Sequence, residues 1–141
     1  MSGDNCKGRL HKIIHLKYLF NNLNESKKFY INILGFKLEY ERVENKFAFL
    51  SYGDTQIMIE EINGHWNTSE LQYPLGRGIN FLIATDDVCE IEDILKQNNI
   101  KLFKDMMVNQ YKCDGETIVN KEILFQDPDG YLLRFAQSKS I

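Results

Sequence analysis

A chain of 141 residues with 43% hydrophobic content is long enough for one compact domain or two very small fused units. Seventeen basic against twenty acidic side chains leave a formal charge of −3, which offers no basic field for nucleic acid and mildly favours a cationic ligand. No apolar run approaches the ~20 residues of a membrane span, and the opening MSGDNCKGRLHK lacks a secretory signal's apolar stretch, so the expectation is a soluble cytoplasmic protein.

In chain order, IIHLKYLF places Ile14, Leu16, Tyr18 and Phe20 on one face of a strand, with His15, Lys17 and Leu19 on the other. NNLNESKKFYINILGF follows as a helix, capped by Asn22 or Asn24 and stopped at Gly35. FKLEYERV, KFAFLSY and TQIMIEEI read as three strands, the last two joined by a turn at Gly53 and Asp54. The polar stretch 63–76 reads as a linker between two modules, at about 11–62 and 77–138. Beyond it the order recurs: INFLIATDD is a strand, DVCEIEDILKQNN an amphipathic helix, and IKLFKDM, TIVNKEILFQ and YLLRFAQ are strands. Residues 105–116 interrupt this second unit as a longer loop. Pairs such as Asn22 with Asp86 and Phe36 with Ile100 mark a divergent internal repeat. Cys6, Cys89 and Cys113 share no CxxC spacing and read as reduced thiols. Neither a phosphate-binding glycine loop nor a GxSxG elbow is present.

The fold class is therefore α+β, built from two βαβββ modules whose curved mixed sheets carry helices on one side and a concave face on the other. Four motifs, NNLNESKKFYINILGF, FAFLSYGDTQIMIEE, YPLGRGINFLIATDDV and FQDPDGYLLRFAQ, resemble the vicinal oxygen chelate superfamily of glyoxalases, bleomycin resistance proteins and dioxygenases. The last two motifs most resemble the bleomycin-resistance branch. The resemblance implies a domain-swapped homodimer with a small-molecule site in its cleft.

The superfamily's metalloenzymes place a ligand at each of four cleft-facing positions, matched here by His15, Glu60, Asn80 and Arg134. His15 and Glu60 have the chemistry of ligands, whereas a guanidinium has donors only and brings its own positive charge. The expectation is that Arg134 replaces a metal and pairs with Glu60, either around a ligand or as a purely structural ion pair. No metal, cofactor or catalytic residue is then expected. The resemblance implies a protein that sequesters bleomycin or a similar planar cation without chemistry. Tyr40, Phe47, Phe49, Trp66 and Tyr111 would line the cleft, and Glu60, Glu61 or Glu44 would face the cationic tail. Val119, where a known binder carries tryptophan, departs from that pattern. The alternatives are a metal-dependent glyoxalase, dioxygenase or thiol transferase, and a dimer binding an unrelated metabolite.

Overall fold

A computed structural model describes residues 16–141, and His15, His11 and Cys6 lie outside the described residues. Strand β1 (Leu16–Phe20) leads into helix α1 (Leu23–Lys27), followed by β2 (Lys37–Arg42), β3 (Phe47–Tyr52) and β4 (Thr55–Glu61). After the linker come β5 (Asn80–Ala84), α2 (Val88–Gln97), β6 (Leu102–Cys113), β7 (Glu116–Gln126) and β8 (Leu132–Ser140). The strands form two four-stranded sheets, ordered β1-β4-β3-β2 and β5-β8-β7-β6. In each, the first and last strands run parallel and the other pairs are antiparallel, so the βαβββ order of the sequence repeats in space.

Both helices begin where an Asn or Asp side chain accepts the amide hydrogens of their first turn: Asn22 from Glu25, and Asp87 from Cys89 and Glu90. The second cap is thus Asp87, one position beyond Asp86, the residue that the repeat pairs with Asn22. The cause lies in the first helix, whose continuation Lys28–Ile33 has π geometry, with the Leu34 amide bonded to the Phe29 carbonyl. A π turn takes up one more residue than an α turn, so the caps and the strands that follow repeat at different spacings.

Strand alternation sends Tyr18, Phe20, Ala48, Leu50, Ile57 and Ile59 of the first sheet and Ile83, Ile123, Phe125, Leu133 and Phe135 of the second into one shared core with the helices. At about 25 cal/mol per Å² of apolar surface, burial of these side chains drives the assembly. Aromatic edges join the modules: Tyr18 meets Tyr131 at 4.7 Å and Phe81 at 5.2 Å between centroids, and Tyr52 meets Phe135 at 5.5 Å. Hydrogen bonds cross the same seam, from the Tyr131 hydroxyl to the Leu19 carbonyl at 2.6 Å and from the Tyr30 hydroxyl to Asp127 Oδ2 at 2.7 Å.

The DPDG stretch is the hub of that seam. Asp127 is 4% exposed, and its Oδ1 accepts the amide hydrogens of Asp129 and Tyr131, closing the turn. Asp129 Oδ1 accepts the Asn21 amide hydrogen at the start of the first helix. The linker ends on this turn, since the Leu75 amide donates to the Asp129 carbonyl and Leu75 is buried. Gly130 has φ +90°, and a Cβ there would stand 2.5 Å from the Pro74 Cβ, so only glycine lets linker and turn approach so closely.

One expectation fails in the second module. Residues 105–116 are not a loop: β6 runs unbroken to Cys113, turns at Asp114 and Gly115, and returns as β7. Bulges between Leu102 and Met107 shift the register, and the outer part of this hairpin is exposed on both faces, so its side chains carry no apolar alternation.

Candidate functional site

Because the backs of both sheets enter one core, their other faces are open. On the first sheet the register aligns Lys17, Met58, Phe49 and Tyr40 in one row and Leu19, Glu60, Phe47 and Arg42 in the next. Sequence reasoning does bring Tyr40, Phe47, Phe49, Glu60 and Trp66 to one area. The Tyr40 and Phe49 rings stack at 5.1 Å, and Tyr40 and Phe47 lie 6.1 Å apart. However, Phe47 and Phe49 are buried. The protein's own cations already cover the aromatic group: Arg42 lies 4.9 Å from the Phe47 centroid, and the Lys17 ammonium 4.7 Å from that of Trp66. Trp66 itself is 61% exposed in the linker.

Glu60 is 7% exposed, and its Oε1 lies 3.2 Å from the Lys17 ammonium. Such a partner offsets the loss of water around a buried carboxylate. Glu61 faces the other way and serves the fold, accepting the Leu23 amide hydrogen and a bond from Lys46. The Leu23 bond, then that of Lys46, holds its carboxyl below the usual range. Both acids thus already have partners within the chain, Lys17 for Glu60 and the Leu23 amide with Lys46 for Glu61.

On the second sheet, Asn80 and Leu132 occupy one row, then Leu82, Arg134 and Leu124, then Ala84, Ala136 and Glu122, then Ser138 and Asn120. Arg134 stands where alternation puts it, opposite the buried Leu133 and Phe135. Its partner is not Glu60. Arg134 Nε donates to Glu122 Oε2 at 2.8 Å and Nη2 to Oε1 at 2.7 Å, a two-pronged bond across the diagonal between β8 and β7. The Arg134 bonds hold the Glu122 carboxyl below the usual range, and the carboxylate in turn raises the guanidinium above its own. Glu122 is a functional candidate that sequence reasoning missed; the signal was a single acid in the otherwise apolar run EILF. Tyr111, on the β6–β7 hairpin, joins Asn120, Glu122, Arg134, Ala136 and Ser138 around an open hollow of about 690 Å³.

The four positions matched to metal ligands therefore divide between two faces: Glu60 on the first sheet, Asn80 and Arg134 on the second, with His15 outside the described residues. They do not fit a divalent ion. Arg134 has no lone pair to give and is held by Glu122, and Glu60 already faces an ammonium. Among the described residues, no group of three or more His, Cys, Asp or Glu is arranged to hold a metal. Cys89 and Cys113 are unpaired and exposed. Among the described residues no helix is long and apolar enough to cross a membrane.

The family model described as the Glyoxalase/Bleomycin resistance protein/Dioxygenase superfamily matches residues 12–135, and the chain belongs to that superfamily. The chain is 29% identical over 135 residues, 92% of each chain, to the lactoylglutathione lyase of Neisseria meningitidis serogroup A. A probable lactoylglutathione lyase of Synechocystis is 25% identical, covering 91% of this chain and 96% of its own. Among solved structures, a glyoxalase/bleomycin resistance protein/dioxygenase of Alicyclobacillus acidocaldarius shares the fold with a TM-score of 0.61, at 22% identity over 90% of this chain and 91% of its own. The fosfomycin resistance protein FosX of Listeria monocytogenes does so with a TM-score of 0.61, at 22% identity over 92% and 94%. The first two of these relatives correct the expectation of a protein without chemistry, because they are named a lactoylglutathione lyase and a probable one. None of them gives the bleomycin-resistance branch specific support.

Proposed function

We propose that this protein is a lyase-type enzyme of the glyoxalase kind, acting on a small acyl-thiol conjugate of the lactoylglutathione class. The observation that carries the reading is Glu60: a buried carboxylate on an open sheet face with an ammonium at 3.2 Å, in a chain aligned almost end to end with lyases. Splitting lactoylglutathione into glutathione and a 2-oxoaldehyde first moves a proton between two adjacent carbons. The thioester carbon gains it and the hydroxyl-bearing carbon loses it, while the proton of that hydroxyl passes to the thioester oxygen. The hydroxyl of the resulting hemithioacetal then gives up its proton as the carbon–sulfur bond breaks, and the sulfur takes one up. The steps need a base within reach of carbon and a positive charge near the oxygens. Glu60 supplies the first and Lys17 the second, while the aromatic group of Tyr40, Phe47 and Phe49 fixes the strands beneath them.

We take the working form to be a homodimer in which the first face of one copy closes over the second face of the other, since one chain directs the two faces apart. The test is Glu60→Gln, which keeps the shape and removes the base. Formation of S-lactoylglutathione from glutathione and the 2-oxoaldehyde, the downhill direction of the same steps, should fall roughly 100-fold or more, with the thermal transition little changed. Equal rates for the variant and the parent would refute the assignment of Glu60.

A further inference from the structure

We infer that Arg134 is the receptor for a carboxylate group of the ligand, acting as the resident cation of the second face. A guanidinium has two edges able to bind two oxygens at once: one formed by Nε and Nη2, the other by Nη1 and Nη2. Glu122 occupies the first edge through both of its oxygens. The second has no partner among the described residues, and the Arg134 side chain is 36% exposed at the hollow it lines.

The occupied edge is what makes the free one a rigid receptor. Glu122 is 3% exposed and cannot swing away. Asn120 stands beside it and helps hold its carboxyl low, and the Ser138 hydroxyl donates to Asn120 Oδ1 at 2.8 Å. The two-pronged bond to this buried carboxylate thus fixes the guanidinium plane before any ligand arrives, which removes the cost of ordering a long side chain on binding. Leu82, Ala84 and Ala136 give the hollow an apolar floor, and Tyr111, half exposed, gives it an aromatic wall.

The electrostatics select the ligand's charge. Glu122 neutralises most of Arg134's field, and Asp86 is the one other ionised group lining the hollow. A doubly charged phosphate gains little there, whereas a singly charged planar carboxylate matches the two parallel N–H groups of the free edge. This inference rests on the lyase reading for the identity of the ligand, since a glutathione conjugate carries carboxylates, but not for the chemistry of the receptor.

The test is binding to the full chain, in chelator, with benzoate against benzamide, two probes of equal shape that differ in charge. Benzoate should bind roughly tenfold more tightly, shift the NMR resonance of the Arg134 Nε–H, and lose that advantage in the double variant Arg134→Gln with Glu122→Gln, which removes both charges together. Arg134→Lys should keep the charge and still lose most of the preference. Equal binding of the two probes, or inorganic phosphate binding as well as benzoate, overturns the inference. Benzoate preference in a protein that forms no S-lactoylglutathione from glutathione and the 2-oxoaldehyde overturns the lyase reading alone.

Discussion

Asp127→Asn should make the protein more stable at neutral pH, although it replaces a residue at the centre of three hydrogen bonds. Burial pushes the Asp127 carboxyl up from 3.8 to about 6, against the opposing bonds from Tyr30 and the Tyr131 amide. A folded value above the unfolded one means that the native state binds the extra proton. Stability from this group is therefore fully present below 3.8 and lost as pH rises through about 6. The distance between those values corresponds to about 3 kcal/mol of penalty for keeping the ionised carboxylate in the core at neutral pH. The new amide is the shape of the protonated acid. Its oxygen still accepts the Asp129 and Tyr131 amide hydrogens, and its nitrogen donates to the Tyr30 hydroxyl, which rotates to accept. Urea unfolding of both proteins from about pH 4 to pH 8 measures the difference. The variant should gain on the parent progressively as pH rises from about 4 to about 6 and hold an advantage of about 1 to 3 kcal/mol above that. A variant less stable than its parent at neutral pH, or a pH-independent difference, would refute the buried-charge argument.

Gly130→Ala should cost more than about 2 kcal/mol in thermal or urea unfolding, because it combines a left-handed backbone with a Cβ 2.5 Å from Pro74. A neutral effect would mean that the linker does not rest on the DPDG turn. Asn22→Ala should cost about 1 kcal/mol by the same measurement, through loss of the cap on Glu25. Glu122→Gln should remove a stabilisation that is present above the ordinary glutamate value and lost as pH falls through the lower folded one. Acid titration of stability in the parent and the variant should therefore diverge at neutral pH and converge in acid.

Regular alternation and capping made most of the fold legible in the sequence. Leu133 and Phe135 had to be buried, which placed Arg134 on the open face before any coordinates. The same rule sets Lys17 on the open face of the first sheet, and the family resemblance sets Glu60 there beside it. What could not be read was which charges meet. Arg134 and Glu122 touch only because β7 and β8 pair in a register that sets Leu124 beside Arg134 and Ala136 beside Glu122, a long-range property with no local signature. Glu60 instead meets Lys17 of the neighbouring parallel strand. The β6–β7 hairpin was misread as a loop for a related reason. Asp105, Asn109 and Asp114 supply loop-like composition, and strands exposed on both faces have no apolar period to reveal them. The cationic cover of the aromatic face was equally hidden, since Lys17, Arg42 and Trp66 come from three separate segments.

The most direct measurement of the central claim is a time course of the purified protein with glutathione and a 2-oxoaldehyde, following hemithioacetal, thioester and free 2-hydroxy acid together. Run in its downhill direction, the lyase reaction predicts that thioester appears as hemithioacetal disappears, in equal amounts, at a rate that collapses in Glu60→Gln. Unchanged hemithioacetal, or 2-hydroxy acid released with no thioester formed, would contradict it.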